Sequence, residues 1–159
     1  MQNIISGKLK LDNEKYKNTE KSYSTYFPRL CTDIHGYIDW SLAFEDLESF
    51  ILAFSRPYMG SSTFIKGEKV RIFDIRLQRK VNIHPFLKGL VLSKTNKDLN
   101  VACSDGVISI RLEDIKKENK KSTINVGDRF YTPNKLLDSA LLTRAFYKPT
   151  GLEIKEYGN

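Results

Sequence analysis

At Gly60 the hydrophobic pattern of this chain changes period, and that change limits the possible folds more than any other feature. Before it, Ala43, Phe44, Leu47, Phe50, Ile51 and Phe54 recur at helical spacing and form one apolar stripe. The spacing predicts an amphipathic helix over 41–55, with Ser41 as N-cap and Glu45 and Asp46 at its positive end. Pro57 stops it after Arg56. After Gly60, apolar residues come in short runs separated by turn residues, the mark of strands.

Runs 62–66 and 69–77 flank Gly67 as a hairpin. In the second run the apolar phase slips by one between Ile72 and Phe73, which predicts a bulge or a sharp coil of the strand. Strands follow at 88–94, 99–103 and 107–112, joined by Thr95-Asn96-Lys97-Asp98 and by a Ser-Asp-Gly turn at Asp105-Gly106. In the last of these, Ile108, Ile110 and Leu112 alternate with Ser109 and Arg111, as a half-exposed antiparallel strand requires. Residues 122–126 add an edge strand before Gly127-Asp128. Thr132 then caps a terminal helix with Pro133 at its first position. Leu136, Leu137, Ala140, Leu141 and Arg144 line one face, and Pro149 ends it.

The expected class is therefore mainly β with flanking helices. A small OB-like antiparallel barrel, partly open, is preceded by a linker helix and followed by a terminal helix. Pattern alone also admits another small barrel. The chain divides into a polar N-terminal extension (1–25), a linker and amphipathic helix (26–60), the barrel (61–131), and a C-terminal helix and tail (132–159).

A chain of 159 residues with 40% hydrophobic content can bury one respectable core. No run of about 18 apolar residues offers a membrane helix. The first residues lack a signal-peptide core, so a cytoplasmic location is expected. Cys31 and Cys103 read as free thiols, and no metal-ligand spacing is present. The net charge of +7 is uneven: residues 64–135 carry 16 Lys and Arg against 8 Asp and Glu. Such a segment either attracts polyanions or forms a solvated sheet surface. Its candidate residues are Lys88, Lys94, Arg111, Lys116, Lys117, Lys120 and Lys121, with Lys97 beside them. They would neutralise phosphates without reading bases. Phe73 and Phe86 read as core, so stacking aromatics are scarce.

Catalytic constellations are not evident. His84-Pro85-Phe86 reads as a rigid entry turn with Phe86 in the core, and Asp33-Ile34-His35-Gly36 as an Asx-type turn with a surface histidine. Asp39 is a helix-start residue and Trp40 a packing anchor. No serine triad, phosphate loop or spaced carboxylate pair is found.

From about Ser22 to the terminal helix the chain resembles the C-terminal region of folate-dependent formyltransferases, the methionyl-tRNA and amino-sugar enzymes. The resemblance rests on the order of Tyr26-Phe27-Pro28-Arg29, Ile38-Asp39-Trp40-Ser41, Phe50-Ile51-Leu52-Ala53-Phe54, Arg56-Pro57-Tyr58-Met59-Gly60 and Asp105-Gly106. It implies that Arg29, Asp39 and Trp40 lie at the seam with a catalytic domain, which this chain lacks. The family's Asn, His and Asp, and its 10-formyltetrahydrofolate, would belong to that domain. His84-Pro85 is followed by Phe and does not match the family's His-Pro-Ser segment, so no catalytic residue and no cofactor is expected in this chain. Formyl transfer by this chain alone is not expected. The role implied is support of acceptor binding. The basic segment suits methionyl-tRNA, whereas departures at His35, Ser61, Ser62, His84-Pro85-Phe86 and 127–131 lie closer to the sugar-modifying or unassigned members, whose acceptor is a nucleotide-linked amino sugar where assigned. Two other readings compete: a free-standing basic barrel that binds RNA by charge, and a module that forms a homodimer through its exposed linker helix.

Overall fold

The computed structural model describes residues 28–118 and 123–156, so the expectations for 1–25, for Tyr26 and Phe27, and for Lys120 and Lys121 lie outside the described residues. A short helix α1 (Thr32–His35) leads to α2 (Phe44–Ala53), which carries the predicted stripe: Phe44, Leu47 and Ile51 are buried, and Phe50 is half-buried. Full burial of Leu47 and Ile51 contributes about 1.5–3 kcal/mol each. The helix begins later than expected, and Ser41 does not cap it. Ala43 takes the cap position and brings no side-chain acceptor. The Phe44 N–H donates to the Asp105 carboxylate instead, 2.8 Å away. Asp39 does meet a backbone donor, accepting the Ser41 N–H at 2.8 Å.

Strands β1 (Ser61–Ile65) and β2 (Glu68–Ile72) form the predicted hairpin. Ile65 pairs with Glu68, and the intervening Lys66 and Gly67 both have positive φ, the geometry whose twist suits a two-residue turn. The phase slip at Phe73 is a coil between β2 and β3 (Arg76–Lys80), and a register shift follows between Leu77 and Arg79. Next come β4 (Val91–Lys94), β5 (Asp98–Ala102), β6 (Gly106–Arg111) and β7 (Ile115–Lys117). The two-residue β8 (Phe130–Tyr131) then leads to α3 (Asn134–Leu142), β9 (Thr143–Lys148) and β10 (Gly151–Glu156). Two antiparallel four-stranded sheets result, in orders β7-β2-β1-β8 and β3-β6-β5-β4, with β9 and β10 as a separate hairpin.

The sheets are joined through the chain. β2 runs on into β3, and β6 into β7, and the two bends meet where the Phe73 N–H donates to the Asp114 carbonyl at 3.0 Å. Their other edges approach at an isolated Leu90–Arg129 bridge, with Phe130 N–H on the Gly89 carbonyl at 2.8 Å. The ladders stay two sheets and do not close into one continuous barrel. Their inner faces hold the core, including Ile65, Val70, Ile72, Leu99, Ile108, Ile110 and Phe130. Trp40 is the expected anchor: it stacks on Phe130 with centroids 5.5 Å apart. Its Nε1–H donates to Thr63 Oγ1 at 2.9 Å, and Thr63 lies 3.1 Å from the Tyr131 carbonyl it donates to, so linker, β1 and β8 are tied together.

Several expectations are corrected. The basic connection after Ile115 begins as β7, which pairs with β2 through Val70–Lys117 and Arg71–Lys116. Residues 123–126 are not a strand, although Ile124 is buried. The terminal helix stops at Leu142, and Arg144 lies on β9, because Thr143 and Ala145 are buried on the hairpin. Thr132 does not cap that helix; its Oγ1 lies 3.2 Å from Thr63 Oγ1. His35 is half-buried joinery: Nδ1 accepts the Cys31 N–H at 2.8 Å, and Nε2 meets the Thr143 carbonyl at 3.0 Å. Phe86 is 74% exposed, on a one-turn 3-10 helix, Pro85–Leu87, and is not core.

Candidate polyanion-binding surface

Lys66 at the β1–β2 turn and Lys94 at the end of β4 converge on the loop 123–128, and Lys117 at the end of β7 lies near enough to feel the charges of both. Lys66 Nζ donates to Asp128 Oδ2 at 2.9 Å and to the Thr123 carbonyl at 3.0 Å. Lys94 Nζ donates to the Ile124 carbonyl at 2.8 Å. The Ile124 carbonyl leaves the Lys94 charge uncancelled, whereas Lys66 is paired with Asp128 and keeps only spare N–H donors for an anion. Lys117 is held below the ordinary lysine value, by burial first. Lys94 and Lys66 push the same way, against Glu68 and Asp128. Burial works to raise the Asp128 carboxyl, but the Asn125 N–H and Lys66 outweigh it and hold the group below the usual aspartate value. Three ammoniums thus share this region with two carboxylates, Glu68 and Asp128.

The structure therefore brings together Lys94 and Lys117 of the predicted set and adds Lys66. Lys66 was not singled out because it sits in a turn before most of the lysine-rich stretch. The other residues are dispersed. Arg111 lies among carboxylates, 2.8 Å from Asp114, 2.9 Å from Glu113 and 3.7 Å from Asp74, which cancel its charge. Lys116, exposed on β7, lines a cleft with Arg56, Phe73, Glu113 and its neighbour Lys117. Lys88 lines a separate groove with Asp39, Trp40, Arg129 and Tyr131. Arg29 is exposed, Asp39 half-buried and Trp40 buried. An apolar hollow of about 370 Å³ lies between the linker and α3, lined by Leu30, Tyr37, Phe50 and Leu137, with Asp39 at its wall.

Among the described residues no group of His, Cys, Asp and Glu is arranged to hold a metal ion, and no helix is long and apolar enough to cross a membrane. Cys103 is buried, and burial raises its thiol above the ordinary value, which makes it a poor nucleophile.

A family model described as "Formyl transferase, C-terminal domain" matches residues 32–126. Curated relatives named methionyl-tRNA formyltransferase match a similar portion. The protein of Ruminiclostridium cellulolyticum is 27% identical over 92 residues, which is 58% of this chain and 29% of the relative. That of Streptococcus pyogenes serotype M49 is 26% identical over 106 residues, 67% and 30% of the two chains. That of Marinobacter nauticus is 28% identical over 107 residues, 65% and 33%. The match spans about a third of the length of these relatives.

Proposed function

This chain belongs to the formyl transferase C-terminal domain family, and from that premise we propose that it is the non-catalytic, acceptor-supporting part of a cytoplasmic formyltransferase whose acceptor is an aminoacylated tRNA. The observation that carries the reading is the clustering of Lys66, Lys94 and Lys117 in a domain whose named relatives act on methionyl-tRNA. In this reading the lysines neutralise acceptor phosphates and position the RNA without reading its sequence. Formyl chemistry, with the folate donor, belongs to a catalytic domain packed against the linker. Arg29, Asp39 and Trp40 serve at that seam, with Trp40 bracing the linker against Phe130. Lys88 and Lys116 extend the basic surface at its margins, and Lys120 and Lys121 add to it, whereas Arg111 is a structural residue.

The test is retention of bulk tRNA on a filter by the chain and by a Lys66→Ala/Lys94→Ala/Lys117→Ala variant at low salt. The reading expects retention by the first and at least tenfold weaker retention by the second. Equal retention, or none by the parent chain, contradicts it. Formyl transfer from 10-formyltetrahydrofolate measured with this chain alone would contradict the non-catalytic assignment.

A further inference from the structure

Phe86 is the most exposed phenylalanine among the described residues, 74% open to solvent, yet its backbone is tied on both sides. Pro85 fixes one backbone angle of the turn, and the His84 ring accepts the Phe86 N–H at 3.2 Å. From the position just before β8, Arg129 Nη1 donates to the Phe86 carbonyl at 2.6 Å and to the Lys88 carbonyl at 2.7 Å. The same guanidinium lies 4.9 Å from the centroid of the Phe86 ring. One side of the ring is therefore packed on a cation, and the rest is left open. An aromatic ring exposed only by chance would carry no such clamp and would be free to fold down onto the surface.

An unpaired nucleobase fits this arrangement. It offers a π-face to the ring, while its phosphates meet the positive charges of Arg129 and of Lys88, which lines the adjoining groove. Arg129 follows Asp128 directly in the chain, so the side chain that clamps Phe86 and the carboxylate that holds Lys66 come from consecutive residues. We propose that Phe86, backed by Arg129, is a stacking platform for an unpaired base of the acceptor RNA. The proposal rests on the acceptor-RNA reading above and gives that surface a contact that is not purely electrostatic.

The proposal is tested with Phe86→Ala and Phe86→Trp, using a single-stranded oligoribonucleotide and, as a probe without bases, inorganic polyphosphate. Phe86→Ala is expected to weaken oligonucleotide binding about 5- to 150-fold, the loss of one stacked base, without changing its salt dependence or polyphosphate binding. Phe86→Trp is expected to restore affinity. Its emission, above the background of buried Trp40, is expected to be quenched by the oligonucleotide and not by polyphosphate. Unchanged oligonucleotide affinity in Phe86→Ala would overturn the platform while leaving the lysine reading standing. Absence of any polyanion binding by the parent chain would remove both. A monomer–dimer shift in Phe86→Ala, with unchanged RNA affinity, would assign the ring to self-association instead and likewise overturn the platform.

Discussion

The Asp105 carboxylate accepts the Phe44 N–H through Oδ1 and lies 3.7 Å from Lys80 through Oδ2, so it fastens the start of α2 to the β5–β6 turn. Asp105→Ala should lower stability by about 1–2 kcal/mol, the usual cost of a lost cap, and Asp105→Asn, which keeps an acceptor, by less; urea midpoints measure both. Asp33 makes a different prediction. The Arg71 guanidinium, 2.6 Å away, holds its carboxyl below the usual value, chiefly by hydrogen bonding. A depressed folded value means that this stabilisation is complete above the ordinary aspartate value of about 3.9 and is lost as pH falls through the lower folded one. Asp33→Asn should therefore destabilise at neutral pH, where Arg71 loses its carboxylate partner, and converge on the parent as pH falls through the lowered folded value; chemical denaturation as a function of pH measures it. Neither residue could be assigned its role from spacing. Asp105 reads as a turn because its partner lies 61 residues away, and Arg71 and Asp33 are separated by 38. Phe86 reads as core because its type favours burial, and the Arg129 that keeps it outside is 43 residues distant.

Elements were legible where one face is buried and the other wet. The α2 stripe and the alternation of β6 follow directly from Leu47, Ile51, Ile108 and Ile110. β7 escaped because it is an edge strand of Ile-Lys-Lys, and charged edges look like connections in sequence. The β9–β10 hairpin escaped for another reason. Its Thr-Arg-Ala-Phe-Tyr-Lys run continues the apolar spacing of α3, although Pro149-Thr150 before Gly151 is a turn signal. The junction of the two sheets depends on Gly89, whose φ is +75° and where an added Cβ would meet the Phe130 carbonyl oxygen at 2.1 Å. Gly89→Ala must shift backbone on both strands. A loss of at least about 2 kcal/mol is expected, read as a lower urea midpoint, larger than for Ala at open Gly127.

At the scale of the whole molecule, the charge excess over 64–135 was visible in composition, but its focus was not. Folding spends Arg111 on three carboxylates and gathers Lys66, Lys94 and Lys117 from three separate strand ends. The family, in contrast, was readable from the order of short motifs around the linker, which the match over residues 32–126 bears out. The account turns on whether the gathered lysines hold RNA, and the salt dependence of tRNA affinity tests that most directly. With about three phosphates neutralised, log affinity should fall against log salt with a slope of about −2 to −3, or about 16- to 64-fold between 50 and 200 mM. In the triple alanine variant the slope should be shallower by about the same amount. Affinity that is absent, insensitive to salt, or identical in slope between parent and variant would contradict the account.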